Sequence, residues 1–371
     1  MTVSLRQAQT DNVKSDINVL IQCGVKLKKV DLTGIGKFKV VETTKPQIKK
    51  DDDVLLRIDT IGICGSDIHY YKEGKIGDQL VDFPFTIGHE CSAIVEEVGK
   101  KVTQVKPGDL VAIEPVISCH KCAQCLAGRE HTCLNQTFLG APGQLDGGLA
   151  GYLVMPQENC YPIPENLDAE MAMMVEPLSI GYYASQFVRN LDKINSVAIL
   201  GVGPIGLGVM LSLQARGFKN IFVTDKLDYR LDAAKKNGAV WTGNPDKQEI
   251  VSELKKINPD QFDIVFECCG KQEALDQAID ILKPGGMLLI VGIPEEDRIS
   301  FNISNIRRKE ITIQNVRRQN KSFQPVIDLL SSGKISCDFM ITHRFSFEKT
   351  GEAFDIVSNY QDNVIKALIK F

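Results

Sequence analysis

Val197–Ala198–Ile199–Leu200–Gly201–Val202–Gly203–Pro204–Ile205–Gly206 decides the fold of this chain. Four consecutive apolar residues predict a short buried strand, and Pro204 to Arg216 reads as a helix. Between them, Gly201, Gly203 and Gly206 fit G-x-G-x-x-G. The first glycine permits a tight turn, the second lets the backbone approach a pyrophosphate, and the third lets helix and strand pack closely. The helix N-terminus would turn unpaired N–H groups and a positive dipole end toward the phosphates. The next apolar run, Ile221–Phe222–Val223–Thr224–Asp225, ends on a carboxylate near the spacing that binds the adenine-side ribose. Asp225 would repel a 2′-phosphate and so favours NAD over NADP, with Lys226 and Arg230 weighing slightly the other way. The competing reading, an ordinary strand–turn–helix without a ligand, is disfavoured by this context.

Outward from this motif the strand–helix rhythm holds from about Gly181 to Arg317. Phe262–Asp263–Ile264–Val265–Phe266 and Met287–Leu288–Leu289–Ile290–Val291 read as buried strands, with a helix from Glu273 to Leu282 between them. Such alternation predicts a doubly wound parallel sheet covered on both faces, an α/β unit. Upstream, from Phe38 to about Pro164, the texture is β-like. Runs such as Asp53–Asp59, Ala93–Val98 and Leu110–Ile113 are separated by turns such as Lys106–Pro107–Gly108–Asp109, which suggests a twisted antiparallel sheet or partial barrel. For 371 residues two domains are expected. The expected partition is an N-terminal extension over 1–28, a β-rich unit over 29–180, the dinucleotide-binding unit over 181–317, and a return of 318–371 to the first unit.

The chain is 43% hydrophobic and 24% charged with a net charge of −4, so nucleic acid and anionic membrane are not expected as main partners. No apolar run reaches the roughly 20 residues that span a bilayer. Met1 to Asn18 lacks the apolar core of a signal peptide, so a soluble cytoplasmic protein is expected. In that reducing setting the 11 cysteines point to metal rather than to disulfides.

Two groups of metal-binding residue types stand out. Cys119, Cys122, Cys125 and Cys133 form C-x2-C-x2-C-x7-C, which suits a closed tetrahedral structural zinc; disulfides are the weaker alternative. His120 and His131 are expected to be solvated loop residues, since four thiolates complete a shell. The second group is scattered: Cys64, His89–Glu90, and Glu176 before Pro177. One thiolate, one imidazole and one or two carboxylates make an open zinc site. Taken singly, Cys64 and His89 read as core residues and the two glutamates as surface charges.

These residues resemble the zinc-containing medium-chain dehydrogenases, in the branch that acts on sorbitol (L-iditol), xylitol and L-arabinitol. Cys64–Gly65–Ser66–Asp67–Ile68–His69–Tyr70–Tyr71, Gly88–His89–Glu90, the cysteine loop, Glu176–Pro177–Leu178–Ser179 and the glycine motif follow in the family's order. The likeness runs from about Lys29 to the C-terminus.

The resemblance implies a GroES-like catalytic domain built from both chain ends, with a Rossmann domain between. It implies two zinc ions and NAD per chain, a homodimer or homotetramer, and oxidation of a secondary alcohol of a polyol to a ketone. Cys64, His89 and Glu90 would hold the catalytic zinc, with Glu176 at the fourth position directly or through water, and Asp67 would orient His89. Ser66 and His69 would relay the proton. Ile205, Asp225 and Arg230 would lie near the adenosine half of the cofactor, and Val291, Gly292 and Ile293 near the nicotinamide. Arg318 would reach substrate and cofactor, and Tyr70 would line the substrate pocket. The chain departs from the branch at Arg317–Arg318–Gln319, where Phe-Arg-Tyr is common; Gln319 replaces a pocket aromatic. Rival readings are a dehydrogenase of the same fold for L-threonine, a butanediol or an inositol, and a non-enzymatic dinucleotide-binding protein.

Overall fold

The computed structural model describes residues 27–296 and 298–371. Most of the expected extension, residues 1–26, lies outside the described residues. Leu27 and Lys28, assigned to it from sequence, instead open the strand β1 (Leu27–Gly34), which pairs antiparallel with β2 (Lys37–Thr43).

The first sheet is built around β3 (Asp53–Gly62), whose near-continuous burial reflects a strand covered on both faces. Two minor strands, β4 (Lys75–Ile76) and β5 (Gln79–Leu80), form a separate hairpin. Then come β6 (Glu90–Val98) and β7 (Leu110–Ile113), both antiparallel to their neighbours. A small ribbon of β8 (Val116–Ile117) and β9 (Thr137–Phe138) closes the neck of the cysteine loop. β10 (Tyr152–Pro156) pairs with β3, and β11 (Cys160–Pro162) with β7. The core of this unit gathers Leu56, Ile58, Ile61, Ala93, Val95, Val111 and Ile113.

The second sheet contains β12 (Val197–Leu200), β13 (Ile221–Thr224), β14 (Trp241–Gly243), β15 (Phe262–Glu267), β16 (Leu282–Ile290) and β17 (Thr312–Asn315). Its spatial order is β14-β13-β12-β15-β16-β17, with every pair parallel. This is the dinucleotide-fold order 3-2-1-4-5-6. Alternation along β12 explains the two covered faces. Val197 and Ile199 join one core cluster, and Ala198 and Leu200 the other. The glycine turn follows β12, and the helix Pro204–Ala215 starts on the proline.

Helix Ala169–Gln186 lies between the two units. Asp168 caps it by accepting from the Met171 N–H. Met173, Met174, Val175 and Leu178 are fully buried, as a helix apolar on all sides requires. Of the residues after Arg318, helix Phe323–Ser331 packs in the core of the second unit. The strands β18 (Ile341–Ser346) and β19 (Lys366–Lys370) extend the first sheet, with β19 seated between β3 and β18. Among the described residues no helix is long and apolar enough to cross a membrane.

Candidate active site and cysteine loop

Three elements converge where the first sheet meets helix Ala169–Gln186. β3 ends at Gly62, and Cys64 sits in extended conformation at the start of helix Gly65–Glu73. Asp67, in the first turn, accepts the Cys64 N–H at 3.2 Å and reaches to 3.5 Å from His89 Nδ1. Asp67 is fully buried and His89 nearly so. Both Asp67 Oδ1 and His89 Nδ1 lack a hydrogen bond of normal length, the kind of shortfall that a small adjustment of the ring on metal binding would remove. Burial disfavours an imidazolium at His89, but the Asp67 carboxylate and the Cys64 sulfur outweigh it and push the pKa well above its usual value. The surroundings thus favour positive charge at this point, as a cation site requires.

Glu90 opens β6 opposite Gly62, and a Cβ on Gly62 would come within 2.2 Å of Glu90 Oε2. Only glycine leaves room for that carboxylate. Both Glu90 oxygens are taken by Lys366 Nζ, at 2.8 and 2.7 Å, and the same ammonium donates to the Ile63 carbonyl at 3.0 Å. Glu176 is also buried. Burial pushes its carboxyl up to about 7; Glu90 adds to the rise, while His89, Lys366 and Arg318 oppose it. Cys64 and His89 are therefore brought together with Glu176 in their field, whereas Glu90 is committed to Lys366.

Among the described residues, the loop cysteines are the group whose ligand atoms all lie within 4.8 Å of one another. Cys64, His89, Glu90 and Glu176 do not close to that distance. Backbone donors already serve the loop sulfurs: Cys119 N and Asn135 N point to Cys133 Sγ at 3.3 and 3.4 Å, and Leu134 N to Cys122 Sγ at 3.4 Å. Hydrogen bonds from backbone N–H groups, Lys121 first, lower the Cys119 thiol to about 6. All four are free thiols, so the donor set fits a tetrahedral metal. His120 is exposed and paired with Glu158 at 2.7 Å. His131 corrects the expectation of a solvated residue. It is buried against helix Ala169–Gln186, with Nε2 3.1 Å from the Tyr183 hydroxyl, and burial lowers its pKa.

Tyr70 and Arg318 lie close to each other on the His89 side of the group around Cys64. The Tyr70 hydroxyl donates to Gln79 Oε1 at 3.0 Å, and burial pushes its pKa up to about 12. Arg318 is packed over the Phe138 ring at 3.7 Å, and burial lowers its pKa to about 9. Phe138 also meets the His89 ring at 5.2 Å, so one aromatic touches both groups. Ser66 is half-buried at the helix start, and His69 lies 3.5 Å from Glu73 on the more open side.

In the glycine turn Gly201 has φ +93°, and a Cβ on Gly206 would meet the Gly201 carbonyl at 2.0 Å. Asp225 braces this turn, accepting from the Val202 and Leu227 N–H groups at 2.9 Å each. Arg230 lies 3.9 Å from Asp225, with its guanidinium over Gly203. Ile205 is half-buried in the first turn of the following helix; Val291, Gly292 and Ile293 follow β16, with Ile293 exposed.

Sequence reasoning missed Lys366 and Glu114. A lysine inside Ile365–Lys366–Ala367–Leu368–Ile369 was a signal, since an isolated cation in an apolar strand needs a buried partner. Glu114 follows β7; burial, then the nearby Glu176, pushes its carboxyl up to about 8.

A family model described as the alcohol dehydrogenase GroES-like domain matches residues 50–165, and one described as zinc-binding dehydrogenase matches 204–332. Sorbitol dehydrogenase of Bacillus subtilis (strain 168) is 36% identical, over 90% of this chain and 94% of its own. D-xylulose reductase A of Aspergillus oryzae is 34% identical, over 87% of this chain and 91% of its own. The crystal structure of L-idonate 5-dehydrogenase from Escherichia coli superposes with a TM-score of 0.86 at 26% identity, covering 94% of this chain and 99% of that one. The chain belongs to the zinc-containing medium-chain dehydrogenases, in the polyol branch to which such sorbitol dehydrogenases and D-xylulose reductases belong.

Proposed function

We propose that this protein oxidises a secondary hydroxyl of a polyol to the ketone, with NAD⁺ as hydride acceptor. The observation that carries the reading is the cluster of half-buried Cys64 with buried Asp67 and His89, with Glu176, Tyr70 and Arg318 within its electrostatic reach. NAD is preferred because the cations that would greet a 2′-phosphate are engaged. Lys226 lies 3.5 and 3.7 Å from Asp246 and Glu273, and Arg230 is held between Asp225 and the Tyr360 ring.

Zinc would be held by Cys64, His89 and a carboxylate of Glu176 or Glu90, beside the nicotinamide dinucleotide, and the two groups would supply polarisation of the alcohol oxygen and a hydride acceptor. The remaining work falls to the chain. Asp67 fixes the tilt of the His89 ring. Arg318 and Tyr70 bind and orient the neighbouring hydroxyls of the substrate, which aligns the reacting carbon. Glu176, buried beside His89, takes the fourth position at the metal directly or holds a water there through which a proton can leave. Ser66 and His69 give a second route to solvent. Val291, Gly292 and Ile293 hold the nicotinamide end. A second zinc in the cysteine loop, a homodimeric or homotetrameric assembly and a cytoplasmic setting complete the reading.

The test is a panel of sorbitol, xylitol, L-iditol, L-arabinitol, L-threonine and 2,3-butanediol, each with NAD⁺ and NADP⁺. Turnover of at least one polyol with NAD⁺ is expected, with two zinc ions per chain. His89→Ala should keep one zinc and lose nearly all turnover. Turnover confined to L-threonine or butanediol would overturn the substrate class.

A further inference from the structure

The chain leaves β17 through Arg317–Ser322, and four successive side chains of this segment grip the cysteine loop or its neck. Arg318 Nη1 donates to Gln136 Oε1 at 3.3 Å, and its guanidinium covers Phe138 in β9. Gln319, which is buried, donates to Glu114 just before the neck, and its Oε1 accepts the Ser322 N–H at 2.9 Å. Asn320 Nδ2 donates to the Gly128 carbonyl inside the loop at 2.9 Å. Lys321 Nζ lies 3.4 Å from Glu130.

The backbone here is also constrained. Arg318 (φ +51°) and Lys321 (φ +55°) lie in the left-handed region that side chains with a Cβ avoid. Such residues persist where the surroundings over-determine them. Those surroundings are the loop and Glu114 at its base: the contacts span 182 to 205 residues of sequence, so nothing local to the segment replaces them.

We propose that Asn320 is a positioning residue through which the cysteine loop aims Arg318 into the substrate pocket. Recognition of a polyol's additional hydroxyls then depends on the integrity of a loop that contributes no catalytic group. The inference rests on the polyol reading above, in which Arg318 meets the substrate. Its physical basis is leverage. The arginine side chain is long and rich in rotamers, its one side-chain hydrogen bond among the described residues is 3.3 Å, and the fixed point is the strained backbone beneath it. Releasing Asn320 from Gly128 lets that backbone relax and swings the guanidinium. A purely structural fastening would instead affect every substrate equally.

The test uses the full-length, zinc-loaded protein and the variants Asn320→Asp, Asn320→Ala, Arg318→Ala and Arg318→Ala with Asn320→Ala. Asn320→Asp is isosteric but exchanges the donor for a charged acceptor, whereas Asn320→Ala removes the donor without adding charge. Kinetics are measured with the polyol turned over best and with 2-butanol, which has no second hydroxyl, and amide hydrogen exchange is followed over residues 316–323. Both Asn320 variants are expected to raise the polyol KM about tenfold with kcat within roughly threefold, and to leave 2-butanol unchanged. They should add nothing to Arg318→Ala, and exchange at 318–322 should accelerate. Equal losses on both alcohols, losses additive with Arg318→Ala, or unchanged exchange would overturn the proposal. A wild-type protein inactive on every polyol sinks the functional reading instead, and the exchange arm still decides whether Asn320 holds the turn.

Discussion

At the scale of single residues, the most informative group is one that the proposed chemistry does not use. Glu114 is half-buried; desolvation and the nearby Glu176 raise its carboxyl from 4.5 to about 8. The fold therefore prefers the neutral acid. Stability from this group is fully present below the unfolded value near 4.5 and drains away as pH climbs through about 8. Glu114→Gln keeps the neutral shape and removes the titration. Between pH 5.5 and 8.5, the urea midpoint of the wild type should fall relative to that of Glu114→Gln, by up to roughly 4 kcal/mol of unfolding free energy. Parallel profiles would show that Glu114 is ionised in the native state. Residues of this kind explain what the sequence did and did not reveal. Cys64, His89 and Glu176 could be singled out from sequence because metal chemistry favours those residue types and a resemblance assigned their positions. Glu114 could not, because a carboxylate between a strand and Pro115 looks like any solvated strand end until the covering Gln319, 205 residues away, is known.

Elements were legible wherever periodicity was long. β12, the glycine turn, the helix from Pro204 and the strand at Phe262 fall where the apolar pattern puts them, within about a residue at their ends, whereas β16 starts at Leu282, ahead of the apolar run at Met287. Two-residue strands such as β8 and β9 carry no period, and pairing across the cysteine loop creates them. Packing between elements is a third kind of information, and glycines report it. Helices Ala169–Gln186 and Pro204–Ala215 approach so closely that a Cβ on Gly181 would sit 2.5 Å from the Gly208 carbonyl carbon and 2.6 Å from the Val209 nitrogen. The obstacle is backbone, which cannot rotate away. Gly181→Ala should therefore separate the helices and cost about 1–3 kcal/mol by chemical denaturation, despite alanine's better helix propensity. The same shift would displace Glu176, five residues earlier on the same helix, so activity should fall as well. A variant as stable as the wild type would mean that the two helices have slack at this crossing.

On the scale of the molecule, the chain ends its course by returning to the site it began. β19 lies between β3 and β18, and from it Lys366 reaches Glu90, 276 residues away in sequence. Both side chains are at most 2% exposed, and the ammonium also serves the Ile63 carbonyl next to Cys64. A buried pair of this kind brings little net stability, but removing one partner strands the other charge, which costs about 3–5 kcal/mol. The consequence separates two roles for Glu90. If its carboxylate is primarily a zinc ligand, the metal would shelter it and Lys366→Met would be mild in the zinc-loaded protein. The geometry favours the lysine, since both oxygens are already bonded to it. Lys366→Met should therefore destabilise the zinc-loaded protein by about 3–5 kcal/mol at pH 7, and adding Glu90→Gln should recover most of the loss. A mild Lys366→Met effect, with zinc content halved by Glu90→Gln alone, would return Glu90 to the metal. The outcome also bears on the fold, because Lys366 ties the last strand to the first sheet beside Cys64 and His89. Should the pair prove dispensable, the C-terminal return would rest on the apolar packing of Ala367, Leu368 and Ile369 and not on the charge they carry into the core.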